Sequence, residues 1–215
     1  MELTPRLLLT AYASGVFPMA ESAESDEIFW FNPEKRGVMP LSGLHISRSL
    51  RKLMRTRRFK VTANQCFSEV MAACADRDET WINEEITALY TELHALGHAH
   101  SIEVWDGATL AGGLYGVSLG AAFFGESMFS RQSNTSKIAL VGLVARLQLG
   151  GFELLDMQFI TPHLASLGGV EISRDDYIAQ LENALKRRAD FTRLKATDTY
   201  SLVALAASQD STHTS

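Results

Sequence analysis

Three polar side chains lie in apolar stretches of this sequence and could take part in chemistry: Glu126, Asp156 and Gln158. Asp156 and Gln158 are two positions apart in a stretch that predicts a β-strand, so we expect their side chains to share one face. A buried polar group without a partner costs about 1–3 kcal/mol, so each must be satisfied. Either both bind backbone groups within the core, or they face a cleft in which Gln158 orients an attacking amine and Asp156 polarises that arrangement.

Glu126 lies among residues that would otherwise be assigned to a core, in segment 125–130. A buried glutamate is rare unless it is paired. At the mouth of an apolar pocket, Glu126 could hold an α-ammonium or a ribose hydroxyl, and a structural ion pair is the alternative. The adjacent Ser127 does not form a nucleophile elbow, because Phe129 occupies the position where that motif requires glycine.

Apolar and glycine residues precede and surround this segment. The apolar ones could form either an adaptable binding surface or plain core, and the glycines are expected to permit close backbone approach rather than to cradle a phosphate. The apolar residues are Leu114, Tyr115, Met128 and Phe129, and the glycines are Gly112, Gly113 and Gly116.

Metal-binding chemistry is not indicated by the remaining candidate ligands. His94 and His98 have helical spacing, but Gly97 breaks the helix that would align them, and the sequence has no HExxH pattern. Cys66 and Cys74 are also at helical spacing and are expected to be small buried hydrophobes. The sequence therefore predicts no metal site.

The basic residues are concentrated in one segment. The net charge is −5, from 20 Lys and Arg against 25 Asp and Glu, but residues 48–60 contain seven basic residues and no acidic one. Without these seven, 13 basic residues face 25 acidic ones, a charge of −12. Such a segment is either a solvated helix face or a phosphate-binding face on an acidic body. Its members are Arg48, Arg51, Lys52, Arg55, Arg57, Arg58 and Lys60.

The elements that must position these residues are predicted from periodicity and turn signals. Helices are expected near residues 7–12, from residue 45, after Asn64 as a cap, between Asn83 and Gly97, over 137–149 with Asn134 as cap, from Pro162, and from Ser173. Strands are expected over 28–31, 59–62, 101–105, 109–117, 121–124, 152–160 and 170–172, with a hairpin at 106–107. This order predicts an α+β or mixed core and resembles the acyltransferase fold of the GNAT superfamily.

The composition sets the class of protein. A chain of 215 residues that is 46% hydrophobic can bury a large core without disulfides or metal. The N-terminus lacks the basic start of a signal peptide, and no segment reaches the length needed to span a bilayer. We therefore expect a cytoplasmic protein that does not associate with membranes, and nothing in the sequence requires more than a monomer.

Taken together, the motifs resemble those of one family, the leucyl/phenylalanyl-tRNA–protein transferases. The resemblance extends from Tyr12 to about Leu181. Its blocks are YASGVFPM at 12–19, HISRS at 45–49, TWI at 80–82, GGLYG at 112–116, GESMFS at 125–130, NTSK at 134–137, DMQ at 156–158 and HLASLG at 163–168.

The resemblance implies a small N-terminal α/β domain over 1–58, a GNAT-like catalytic domain over 59–207 and a loose tail over 208–215. The implied reaction moves Leu or Phe, and sometimes Met, from aminoacyl-tRNA to proteins that begin with Arg or Lys and marks them for N-degron degradation. It uses no acetyl-CoA and no other cofactor. Glu126 and Gln158 would align the reacting groups, and Asp156 would support Gln158.

The resemblance also implies a binding site for the aminoacyl-adenosine end of the tRNA. Segment 48–60 would contact the phosphates of the acceptor stem. The residues implied for the adenosine and the side-chain pocket are Trp30, Trp81, Leu114, Tyr115, Ser127, Met128, Phe129 and Ser130.

Two departures from the family pattern stand out. Phe31 replaces the second residue of a frequent Trp-Trp pair, and the role of Arg36 in the following segment is left open. Leu114 occupies a pocket position that is Met in some members, which could alter the preference between Leu and Phe. The alternatives to the transferase are a CoA-dependent GNAT enzyme, which should show a pyrophosphate loop before Asn134, and a non-catalytic RNA-binding module.

Overall fold

A computed structural model describes residues 3–20, 27–77 and 80–194, which form an α+β fold around one large mixed sheet. In this part of the chain, seven strands have the order β4-β5-β6-β7-β8-β3-β9, and β1 and β2 form a separate antiparallel pair. The strands are β1 Phe17–Ala20, β2 Ile28–Phe31, β3 Lys35–Val38, β4 Phe59–Ala63, β5 Ala99–Asp106, β6 Thr109–Leu119, β7 Ala122–Ser130, β8 Leu154–Gln158 and β9 Val170–Ser173.

Helices cover both faces of the large sheet. One core contains residues from α1, α3, α4 and α7, and the second, on the other face, contains residues from α2 and α5. The helices are α1 Pro5–Ala13, α2 Arg48–Arg55, α3 Phe67–Ala75, α4 Glu84–Ala95, α5 Thr135–Gly150, α6 Pro162–Ser166 and α7 Arg174–Leu185.

The strand pairing brings β7 and β8 together at the centre of the sheet. Strands β4 to β7 are antiparallel neighbours, whereas β7 and β8 are parallel and are joined through α5. A parallel pair needs such a crossover, and α5 fills that role. Beyond β8, strand β3 from the N-terminal part of the chain pairs antiparallel with both β8 and β9.

The cap predicted at Ser173 is confirmed, the one at Asn134 is confirmed in position only, and the one at Asn64 is wrong. Asn83 accepts a hydrogen bond from the Ile86 backbone N–H, and Ser173 accepts one from Asp176. The prediction for Asn64 is wrong, because this residue has a φ of 57° and its side chain accepts from the backbone N–H of Ser101. Asn134 does precede α5, but in a left-handed conformation without a side-chain cap bond.

The hairpin predicted at 106–107 forms with its turn one residue further along, since Asp106 is still paired with Thr109 and residues 107 and 108 make the turn. The glycines of β6 permit close approach, as expected. A Cβ atom at Gly116 would lie 2.2 Å from the Phe124 carbonyl oxygen, and one at Gly112 would lie 2.3 Å from Thr135 Oγ1.

Strand β3 was not predicted from the sequence, and it bears on the expected division of the chain. The expected boundary at residue 58 would assign β3 to the small N-terminal domain, yet β3 lies inside the large sheet. That boundary stays a prediction, and the tail predicted over 208–215 lies outside the described residues.

Burial raises the pKa of the Cys66 and Cys74 thiols to about 12, which keeps both in the neutral form.

We predict that Gly116→Ala destabilises the fold by about 1–3 kcal/mol, because the added methyl group meets backbone across a closed strand pair. Gly125→Ala is the matched control, since Gly125 is the register partner of Gly116 and a Cβ there has ordinary contacts of 3.4 Å or more. Urea denaturation of both variants measures the difference. Equal stabilities would contradict this account of β6.

Candidate active site

A cavity of about 280 Å³ opens beside the junction of β7 and β8. Its wall is mainly apolar and includes several polar side chains. The lining residues are Arg77, Trp81, Leu114, Tyr115, Gly125, Glu126, Ser127, Met128, Leu140, Leu143, Met157, Phe159, Thr161, His163 and Leu164.

Glu126 projects from β7 and is held by three side chains from different elements. The Tyr12 hydroxyl of α1 donates to Oε1 at 2.6 Å, the Tyr90 hydroxyl of α4 lies 3.1 Å from Oε2, and Gln158 Nε2 donates to Oε1 at 3.2 Å. The two tyrosine hydroxyls are 2.5 Å apart. Burial raises the pKa of Glu126 to about 7, although these hydrogen bonds oppose the shift by stabilising the carboxylate. Glu126 therefore titrates near neutral pH.

Gln158 ends β8 in a left-handed backbone conformation, with a φ of 61°. This conformation is unfavourable for a residue other than glycine, by about 1–2 kcal/mol. It is stabilised by Asp156 Oδ1, which accepts from the Gln158 backbone N–H at 2.8 Å. Opposite lies Gly37 of β3, where a Cβ would come within 2.9 Å of the backbone of Phe159. Gln158 is buried and is not itself part of the cavity lining, and its amide contacts the lining residue Glu126.

Asp156 lies in the core and not in the cavity wall, so of the two alternatives left open for this residue the structure favours bonds within the core. Its side chain has no exposed surface. Arg36 Nε donates to Oδ1 at 2.9 Å, Arg36 Nη2 donates to Oδ2 at 2.6 Å, and the Tyr177 hydroxyl donates to Oδ2 at 2.8 Å. With the Gln158 backbone N–H, four donors satisfy this carboxylate.

Arg36 is the main residue near the site whose role could not be assigned from the sequence. It is 1% exposed, and besides Asp156 it donates from Nη1 to the Gly15 carbonyl oxygen at 2.9 Å. Its guanidinium lies 4.4 Å from the ring centroids of both Phe17 and Tyr177. A single arginine in a four-residue strand gives no sequence signal of burial.

The two tryptophans expected at the adenosine site differ in position. Trp81 lines the cavity, whereas Trp30 of β2 does not and is 41% exposed. Its neighbour Phe31 stacks on Phe17 and meets Phe159, which is itself part of the lining, edge-on at 6.4 Å. Strand β2 therefore adjoins the cavity through Phe31.

The remaining pocket candidates divide into two groups. Leu114, Tyr115, Ser127 and Met128 line the cavity, as predicted for a pocket. Phe129 instead packs in the core with α3 and α4, and Ser130 Oγ donates to the Gln132 carbonyl oxygen outside the lining.

The basic segment forms an exposed surface on and after α2, whose Leu50 and Met54 are buried. Arg58 forms an ion pair with Asp106, with 2.6 Å between Arg58 Nη2 and Asp106 Oδ2. Arg51 is half-buried and donates to the Ile46 carbonyl oxygen. The exposed members are Arg48, Lys52, Arg55, Arg57, Arg58 and Lys60.

Comparison with known proteins identifies the family. The model of the leucyl/phenylalanyl-tRNA protein transferase family matches residues 38–182, and the model of its N-terminal domain matches residues 1–34. The transferase of this name from Cereibacter sphaeroides is 59% identical over 190 residues, which covers 88% of this chain and 89% of that protein. Those from Roseobacter denitrificans and Dinoroseobacter shibae are 59% and 56% identical, covering 91% and 85% of those proteins and 89% and 88% of this chain.

Among solved structures, the crystal structure of FemX matches with a TM-score of 0.52 at 11% identity, covering 78% of this chain and 66% of that one. This likeness confirms the predicted α+β, GNAT-like fold class. The chain belongs to the leucyl/phenylalanyl-tRNA–protein transferase family, and it is an aminoacyltransferase with aminoacyl-tRNA as donor and a protein as acceptor. No helix among the described residues is long and apolar enough to cross a membrane.

We predict that Arg36→Met destabilises the protein by about 3–5 kcal/mol, because it leaves the buried Asp156 carboxylate without its cation. Lys35→Met is the control, since Lys35 pairs with Glu171 at 3.9 Å on the surface and such pairs contribute about 0–1 kcal/mol. Thermal or urea unfolding of the two variants measures the difference in their free energies of unfolding. Equal losses in the two variants would contradict the role given to the buried pair.

Proposed function

We propose that this enzyme transfers Leu or Phe, and also Met, from aminoacyl-tRNA to the α-amine of proteins that begin with Arg or Lys, marking them for N-degron degradation. The observation that carries the proposal is the apolar cavity of about 280 Å³ with Glu126 as the carboxylate in its described lining. The reaction needs neither cofactor nor metal. We expect the protein to act as a monomer in the cytoplasm, where aminoacyl-tRNA is available.

The apolar wall supports Leu, Phe and Met as the transferred residues. Leu114 and Met128 contribute from neighbouring strands, and Leu140 and Leu143 contribute from α5. Such a wall disfavours polar side chains, because a buried polar group without a partner is costly. It separates close apolar analogues by only about 1–3 kcal/mol, which is consistent with acceptance of several large apolar residues.

Glu126 is suited to receive the proton of the acceptor amine. An α-ammonium group has a pKa of about 7.7–8.0 in a model peptide, and Glu126 has a pKa of about 7. The neutral amine then attacks the ester carbonyl carbon, a new amide C–N bond forms, and the ester C–O bond breaks. The 3′ oxygen of the tRNA leaves with a proton from the attacking nitrogen, directly or through solvent, and Glu126 releases the proton it received to solvent. The aminoacyl ester is already activated, so alignment of the reactants supplies much of the acceleration.

Gln158 would align the reacting groups together with Glu126. Asp156 would support Gln158 without contacting the substrate. The hydrogen bond from Gln158 Nε2 to Glu126 joins the two candidate catalytic residues directly. Asp156 acts on the Gln158 backbone, through the N–H bond at 2.8 Å. This geometry supports an orienting role for Asp156, since its oxygens are already occupied by Arg36 and Tyr177.

The exposed basic surface around α2 would bind the phosphates of the acceptor stem. Its exposed members Arg48, Lys52 and Lys60 have flexible, solvated side chains that suit sequence-independent phosphate contacts. The adenine base of the terminal nucleotide would stack at the rim of the cavity, where Trp81 offers an aromatic face.

The proposal predicts transfer of radiolabelled leucine from Leu-tRNA to peptides beginning with Arg or Lys, and none to the same peptides with an acetylated N-terminus. Glu126→Ala and Gln158→Ala should each lower kcat/KM about 10²–10³-fold, because both touch the reacting groups. Glu153→Gln is the control, since Glu153 is exposed and pairs with Arg187 on the surface. Full activity of correctly folded Glu126→Ala and Gln158→Ala would refute the proposed active site. No transfer by the wild type would refute the proposed function.

The activity should fall as the pH is lowered through about 7, because protonated Glu126 cannot accept the proton of the amine. The Tyr12 hydrogen bond lowers the pKa of Glu126, so Tyr12→Phe should move this limb of the pH–rate profile to higher pH. Thr10→Val, on the exposed face of the same helix, should leave the limb in place. A limb at the same pH in Tyr12→Phe and in wild type would contradict the assignment to Glu126.

A further inference from the structure

Arg77, at the rim of the cavity, is an exposed arginine held in one orientation by neutral acceptors. Its Nε donates to the Cys74 carbonyl oxygen at 2.8 Å. Its Nη2 donates to Ser127 Oγ at 2.9 Å and to the Met128 carbonyl oxygen at 3.2 Å. These bonds join the end of α3 to β7 and fix the plane of the guanidinium against the cavity wall.

The charge of Arg77 is not neutralised by any acidic side chain in the described ranges 3–20, 27–77 and 80–194. Other arginines of the fold show the contrast, since Arg36 is paired with Asp156 and Arg58 with Asp106. Nη1 of Arg77 makes no hydrogen bond within those ranges. A pre-oriented guanidinium with free donors is a favourable partner for a phosphate group.

We infer that Arg77 binds the 5′-phosphate of the terminal, aminoacylated adenosine of the donor. The inference rests on the proposed function. If the acyl side chain fills the apolar cavity, the adenosine to which it is esterified must lie at the rim, where Arg77 and Trp81 are found four positions apart. The nearest anion that the donor brings to this rim is the phosphate that joins the adenosine to the preceding nucleotide.

The acceptor does not offer a competing partner for Arg77. A protein that begins with Arg or Lys brings an α-ammonium and a cationic side chain, and both would be repelled by the guanidinium. Arg77 therefore separates the two substrates by charge, with the donor phosphate on its side of the cavity and the acceptor amine at Glu126. This contact is distinct from the basic surface around α2, because it concerns a single phosphate beside the reacting ester.

Two small donors that differ by one group test the inference: 3′-phenylalanyl-adenosine and its 5′-monophosphate. With a fixed acceptor peptide beginning with Arg, wild type should use the phosphorylated donor with a kcat/KM about tenfold higher, as expected for one charge-assisted contact. Arg77→Met should reduce this preference to about twofold or less, whatever its effect on the rate with the unphosphorylated donor. Arg131→Met, an exposed arginine outside the lining, should keep the wild-type preference.

The possible outcomes separate the inference from the proposed function. No transfer from either donor by wild type would refute the function itself. Transfer from both donors at equal efficiency by wild type would overturn the inference, whatever the variants do. Equal losses with both donors in Arg77→Met would also overturn it, since they would show that Arg77 only supports the wall formed by Ser127 and Met128. Arg77→Lys keeps the charge but loses the paired N–H donors of the guanidinium, so it should show an intermediate preference for the phosphorylated donor.

Discussion

Arg36 and Asp156 form an ion pair in a place where neither charge reaches water, with exposures of 1% and 0%. Burying two charges is tolerated only where geometry and further hydrogen bonds compensate for lost hydration. Here the contact is bidentate, Tyr177 and the Gln158 backbone complete the carboxylate, and two aromatic rings enclose the guanidinium. The pair joins β3 to β8 at the position where β8 turns toward the cavity, so the N-terminal part of the chain helps to shape the candidate active site.

The two carboxylates of the site are consequently suited to different tasks. Asp156 is saturated with donors, and its role is to hold the left-handed backbone at Gln158. Glu126 is bonded to tyrosine hydroxyls and an amide, without a cation among its hydrogen-bond partners, and its pKa is raised to about 7 by burial. A carboxylate in that state can exchange a proton with an amine at neutral pH. The fold thus places a positioning group on β8 and a candidate proton acceptor on the adjacent strand β7.

Much of this could be predicted from sequence, because it depends on local patterns. The helix after Asn83, the hairpin at 106–107 and the close approach at Gly116 follow from capping, turn chemistry and glycine in a strand. The cap at Asn64 failed because its amide oxygen is used by the Ser101 backbone N–H across the sheet. Strand β3 was missed because Lys35, Arg36 and Gly37 give no apolar pattern. Burial of Arg36 and the rim position of Arg77 depend on contacts between distant segments, which periodicity does not encode.

The central claim is that the donor's acyl group occupies the cavity between β7 and β8, with Glu126 and Gln158 at the reacting centre. A crystal structure with a stable amide analogue, 3′-phenylalanylamino-3′-deoxyadenosine, tests it most directly. We predict that the phenyl ring lies against Leu114 and Met128 and that the amide carbonyl lies within hydrogen-bonding distance of the groups at Gln158 and Glu126. An analogue bound elsewhere, with this cavity empty, would contradict the account.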